Sequence, residues 1–129
     1  MTNISGDWTG VYSYPRRLAP TAFDAELRDT NGLLSGLITE LGDSARSRGH
    51  VLQSTVIGQV SGQSVRFTKI YDDPVRSHAV FYEGEVIEDG NAIEGQWAIG
   101  PNWSGPFRMQ KRSASEMIAE EVGEEVPAT

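Results

Sequence analysis

The sequence predicts an all-β chain folded as an eight-stranded antiparallel up-and-down barrel, and three observations lead there. Turn-forming residues recur at short intervals along the 129 residues. The segments between them are β-rich, several alternating apolar and polar side chains. There are eight such segments with short links, a number that closes a sheet without leaving edges. A chain of this length holds one domain with a proper core and is too short for two of ordinary size. The barrel is expected over residues 1–112, with an acidic C-terminal tail over 113–129.

The first strand runs from Gly6 to about Tyr14, with Trp8, Gly10, Tyr12 and Tyr14 in one phase, before Pro15 to Pro20 break it. The second, T-A-F-D-A-E-L-R, alternates Phe23, Ala25 and Leu27 against Asp24, Glu26 and Arg28, and ends at the D-T-N-G turn. Leu33 to Leu41 forms the third, followed by a polar stretch from Gly42 to Gly49 that cannot bury a face. The fourth, V-L-Q-S-T-V-I-G-Q-V, is closed by S-G-Q. Ser64 to Asp72 is the fifth and gives way to D-D-P. Residues 77–88 make the sixth, with a hairpin turn at Asp89 to Asn91, and A-I-E-G-Q-W-A-I is the seventh. G-P-F-R-M-Q-K-R is the eighth. Beyond it Ser113 and Glu116 form a capping-box pattern for a short acidic helix reaching Val122, with disorder after that.

Charge and composition narrow the function classes. The net charge of −7 divides unevenly: the tail holds five glutamates and no basic residue, which leaves 11 positive and 13 negative side chains in residues 1–112. No cluster of lysines and arginines is available for a phosphate backbone, so nucleic acid is not an expected partner. No apolar run has the length of a membrane span, and the N-terminus lacks the pattern of a signal peptide. With no cysteine, disulfides and thiolate sites are excluded, and a soluble, cytoplasmic chain is expected. His50 and His78 have no second histidine at metal-ligand spacing, so neither a metal nor a cofactor is expected. Arg46 and Arg48, between the third and fourth strands, have two readings, as partners for an anion or as solvated loop residues, and Trp103 reads as a turn indole that packs under a loop or on another chain.

The inward phase follows from the apolar positions. It takes Trp8, Gly10, Tyr12 and Tyr14 on the first strand, Phe23, Ala25 and Leu27 on the second, and Gly36, Ile38 and Glu40 on the third. On the fifth it takes Val65, Phe67, Lys69 and Tyr71, which sets a lysine among apolar and aromatic neighbours near one barrel end. Val80 and Tyr82 on the sixth, and Ile93, Gly95 and Trp97 on the seventh, complete it. Three readings of Lys69 are open: an ion pair with Glu40, a grip on an anionic ligand against Tyr82 and Trp97, or snorkelling with the ammonium in water. Leu33, Leu37 and Leu41 make a second apolar face on the third strand. With the outward pairs Val56 and Val60, and Phe81 and Ile87, they point to a homo-oligomer.

Taken together, I-S-G-D-W-T-G, L-L-S-G, K-I-Y-D-D-P-V-R-S-H-A-V-F-Y-E-G-E-V and I-E-G-Q-W resemble the avidin and streptavidin family over residues 4–112. The G-x-W of the first strand is also similar to lipocalins and fatty-acid-binding proteins, which share the broader calycin barrel. The resemblance implies a small molecule held in the lumen. It also argues against biotin, because the family's hydroxyl and amide positions fall at Gly10, Ile38, Glu40, His78 and Val80. Among the tryptophan-box positions, Trp97 is retained, Tyr82 is an aromatic substitute and Lys69 replaces the fifth-strand aromatic. A ureido group buried without partners costs about 2–7 kcal/mol. The expectation is therefore a binding protein for a partly apolar, anionic molecule other than biotin, held by Tyr12, Tyr14, Glu40, Lys69, Tyr82, Trp97 and Arg108. Two alternatives stand beside it: a cyclase or isomerase using Glu40 and Lys69 as acid and base, and an interaction domain with a solid core.

Overall fold

The computed structural model describes residues 3–14, 20–41, 51–72 and 79–112. The acidic tail, both histidines, Arg46 and Arg48 lie outside the described residues. Eight strands follow in order: β1 Gly6–Tyr12, β2 Thr21–Thr30, β3 Leu33–Leu41, β4 Val51–Ser61, β5 Ser64–Tyr71, β6 Ala79–Ile87, β7 Ala92–Ile99 and β8 Trp103–Lys111. Each pairs antiparallel with the next. Trp8 opposite Lys111 and Tyr12 opposite Phe107 join β1 to β8, so the sheet closes on itself and no edge strand is left.

The two ends of the barrel differ because their connections differ. At one end Asn31 and Gly32 turn β2 into β3 with φ of 51° and 93°, the left-handed pair that suits the twist of a two-residue hairpin. Gly62 makes the β4–β5 turn, and Glu88, Asp89 and Gly90, all at positive φ, make the β6–β7 turn. The residues before β1 seal this end. The Asp29 carboxylate accepts from the amides of Ile4 and Gly32, at 3.2 and 3.0 Å, and Trp8 Nε1 donates to the Ile4 carbonyl at 3.0 Å. Ile4 and Trp8 are both fully buried beneath that seal. The three longest connections, 13–20, 42–50 and 72–78, all leave from the opposite end.

Alternation fills the lumen. In β2 Phe23, Ala25, Leu27 and Asp29 are buried between exposed neighbours, and β5 buries Val65, Phe67 and Lys69. Mid-barrel, the Phe67 and Tyr82 rings stack 4.6 Å apart, with Phe107 edge-on to Tyr82 at 5.0 Å. Gly84 and Gly95 face each other across β6 and β7, and Phe107 lies opposite Gly95. A methyl group at Gly84 would come within 2.4 Å of the Glu94 carbonyl oxygen and 3.1 Å of the Phe107 ring, so the backbone of β7 comes too close for a side chain there.

β4 departs from the expected phase. Val56 and Val60, expected on the outside, are buried in the lumen with Ser54, while Val51 and Ile57 are exposed. This strand is apolar in both phases, so its composition leaves the register open. The Gly62 turn sets it, placing Val60 opposite Val65 and Val56 opposite Lys69. Leu33, Leu37 and Phe81 stand outward as expected, and Ile87 is half-buried. Trp103 begins β8 instead of sitting in a turn.

Candidate functional site

Inward positions near the ends of three strands converge at the end with the long connections. Tyr12 closes β1, Glu40 is the second-last residue of β3, and Lys69 and Tyr71 are successive inward residues at the end of β5. Lys69 Nζ lies 3.0 Å from Glu40 Oε2, with the two side chains 1% and 3% exposed. The Tyr12 hydroxyl donates to Glu40 Oε1 at 2.6 Å, and the Tyr71 hydroxyl lies 3.5 Å from each carboxylate oxygen. The ammonium also stands over three rings, 4.8 Å from the centroid of Tyr12, 4.6 Å from Tyr71 and 5.5 Å from Tyr82. Lys69 therefore does not snorkel: its charge is met inside the barrel by a carboxylate and π faces.

Burial dominates the electrostatics of this layer. It pulls the Lys69 ammonium below its ordinary pKa, opposed by the charge and hydrogen bond of Glu40. It pushes the Tyr12 phenol far above its ordinary value, reinforced by the Glu40 charge. Tyr82 is raised for the same leading reason, with smaller contributions from Tyr71 and Glu40. Both phenols stay neutral, so a zwitterionic pair sits among tyrosines and carries no net charge.

Aromatic side chains surround the pair on the β1, β7 and β8 side. Tyr14 meets Tyr12, Trp97 and Trp103 with ring centroids 5.6, 5.7 and 6.3 Å apart. Trp97 is buried and fixed by its Nε1 donating to the Ser13 carbonyl at 2.9 Å, whereas Trp103 is 42% exposed. Tyr14, Tyr71 and Ile99 are only partly buried. Together they form the rim of the barrel at this end.

Of the seven residues expected at the site, Tyr12, Tyr14, Glu40, Lys69 and Trp97 are thus gathered at one end, and the mid-barrel Tyr82 borders them through its ring, 5.5 Å from the Lys69 ammonium. Arg108 is not among them. It lies between the buried Phe107 and Met109, points to the outer wall, and pairs there with Glu88 and Glu94. Two members were not among the expected site residues, although Tyr71 was read as inward. Tyr71 completes the carboxylate's surroundings, and Ser54 is a buried serine whose Oγ has no hydrogen-bond partner among the described residues. Counting back in steps of two from Val60, across from the Gly62 turn, would have set Ser54 inward. Among the described residues, grooves of about 640, 440 and 430 Å³ are lined mainly by outward residues; the first, along Thr9, Val11, Asp24 and Thr39, also touches Phe23 and Glu40. Among the described residues no group of His, Asp or Glu side chains is placed to hold a metal ion.

No protein-family model matches the chain, and no curated protein matches it in sequence. Solved structures of similar fold include two designed barrels. One is a redesigned β-barrel, with a TM-score of 0.70, 7% identity and coverage of 85% of this chain and 92% of that one. The other is a de novo designed fluorescence-activating β-barrel, with a TM-score of 0.60, 13% identity and coverage of 84% and 93%. At such identities the likeness is one of fold: a closed antiparallel barrel.

Proposed function

We propose that this barrel binds a small, partly apolar molecule at the end marked by Glu40 and Lys69, beneath the rim of Tyr14, Tyr71 and Ile99. The buried ion pair is the observation that carries the reading. Exchanging such a pair for apolar residues of similar volume is often neutral or stabilising by about 1–4 kcal/mol, so a barrel that needed only a solid core would gain nothing from it. A charged pair set under partly buried aromatic rings, at the end with the long connections, suits a polar head and an apolar body. One barrel of similar fold is fluorescence-activating, in keeping with function housed in such a scaffold.

The kinship we favour is with avidin-like calycin barrels, on the order and spacing of the strands, but with a ligand other than biotin. Gly10, Ile38 and Lys69 stand where biotin's partners would be needed. Glu40 already balances the Lys69 charge, which weakens the case for an anionic ligand. Native mass spectrometry of protein purified from its source tests the proposal. The expected result is a bound small molecule lost on denaturation. Recovery of the bare chain alone, with no copurifying molecule, would contradict it.

A second reading has one observation in its favour. A lysine whose pKa is lowered by burial, 3.0 Å from a carboxylate, has the makings of an acid–base couple. It requires that a copurified molecule be converted by the wild-type protein and left intact by Lys69→Met.

A further inference from the structure

The unpartnered Ser54 hydroxyl extends the proposed site. Its residue is 1% exposed and lies on β4 opposite Ile38 on one side and Tyr71 on the other. Glu40 is opposite Leu52 and Lys69 opposite Val56, so Ser54 is the diagonal neighbour of both charged residues, roughly 7–8 Å between backbones. A buried hydroxyl without a partner is uncommon and has a cause to be sought, such as a water or a group that is bound. Lys69 also has unused capacity. Of its three N–H groups one is directed to Glu40 Oε2, and its other close partners among the described residues are π faces. Two donors on adjacent strands therefore face the same lumen layer.

Charge decides what they can receive. The Glu40–Lys69 pair is neutral as a unit, so a carboxylate entering this layer would leave a buried negative charge with no second cation among the described residues to meet it. A neutral oxygen acceptor needs only the two donors. We propose that Ser54 Oγ and Lys69 Nζ form a subsite for the carbonyl oxygen of an uncharged ligand, which makes ketones, amides and esters the ligand class. The inference rests on the binding reading above and adds the identity of the head group. Entry is from the rim, where Tyr14, Tyr71 and Ile99 are incompletely covered.

Three probes with one apolar body test it: 2-acetylnaphthalene, 2-naphthoate and 2-ethylnaphthalene, each titrated at pH 7 while amide shifts are followed by NMR. The ketone is expected to bind about ten-fold more tightly than either of the others, with shifts at the Tyr12, Glu40 and Tyr71 ends of β1, β3 and β5. Ser54→Ala should weaken the ketone by roughly 3- to 10-fold, leave 2-ethylnaphthalene unchanged and leave the melting midpoint of the free protein no lower. Equal binding of ketone and hydrocarbon, tighter binding of the carboxylate, or a ketone preference that survives Ser54→Ala would overturn the subsite and leave the binding reading standing. A marked fall in the midpoint of Ser54→Ala would assign the hydroxyl to a structural water and overturn the subsite as well. If none of the probes shifts these residues at millimolar concentration, the binding reading itself fails.

Discussion

Replacing Lys69 with methionine keeps most of the side-chain volume and removes the charge, leaving the Glu40 carboxylate buried with Tyr12 and Tyr71 as its partners among the described residues. At the observed 3.0 Å, and with an effective dielectric of about 20, the lost attraction is about 5 kcal/mol. Breaking one partner out of a buried pair generally costs about 3–5 kcal/mol, because the other charge is stranded. That is a large share of the roughly 5–15 kcal/mol that holds a domain of this size folded. Urea denaturation at pH 7, followed by tryptophan fluorescence, is the assay. Lys69→Met should lower stability by about 3 kcal/mol or more, without a change in slope. The double variant Glu40→Gln with Lys69→Met should recover most of the loss, since the amide oxygen still accepts from Tyr12 and no charge remains buried. A loss below about 1 kcal/mol in the single variant would show an ion pair of the solvent-exposed kind and refute the dry-pair geometry.

Three more outcomes follow from the same geometry. Tyr12 and Tyr82 have folded pKa values raised above the ordinary 10.0, so above that pH the unfolded chain ionises first and stability falls with rising pH; absorbance at 295 nm should show two of the four tyrosines ionising only as the barrel unfolds. Lys69 has the opposite sign, since its folded pKa lies below 10.5 and its contribution improves with pH up to that value; Lys69→Met should therefore steepen the alkaline loss relative to wild type. Gly95→Ala would drive a methyl group into the Glu83 carbonyl oxygen and the Gly84 backbone, and a thermal scan should show a loss of about 1–3 kcal/mol, the cost of overpacking.

The barrel was legible where one phase is apolar and the other polar. β2 is the clearest case, with Asp24, Glu26 and Arg28 marking its outer face, and β5 could be placed because Arg66 and Thr68 mark the face opposite Val65 and Phe67. β4 was not legible by composition, since Val51 and Ile57 outside are as apolar as Val56 and Val60 inside. Only the closed hydrogen-bond ladder from the Gly62 turn decides between them. The meeting of Glu40 with Lys69 could be foreseen because both lie inward near strand ends. Whether the ammonium would be wet or dry could not, because its cover comes from Tyr12, Tyr71 and Tyr82 on three strands. Arg108, expected at the mouth, is assigned to the wall by the inward phase of Phe107 and Met109.

The state of Lys69 is open to direct observation because the sequence has only two lysines, and Lys111 serves as an internal control. Side-chain ¹⁵Nζ NMR across a pH series tests the dry ion pair on which the proposed site depends. The account predicts a Lys69 ammonium that exchanges slowly with water, is lost in Lys69→Met, and titrates below the ordinary lysine value of 10.5. A Lys69 resonance that exchanges rapidly and titrates at that ordinary value would place the ammonium in water and contradict the account.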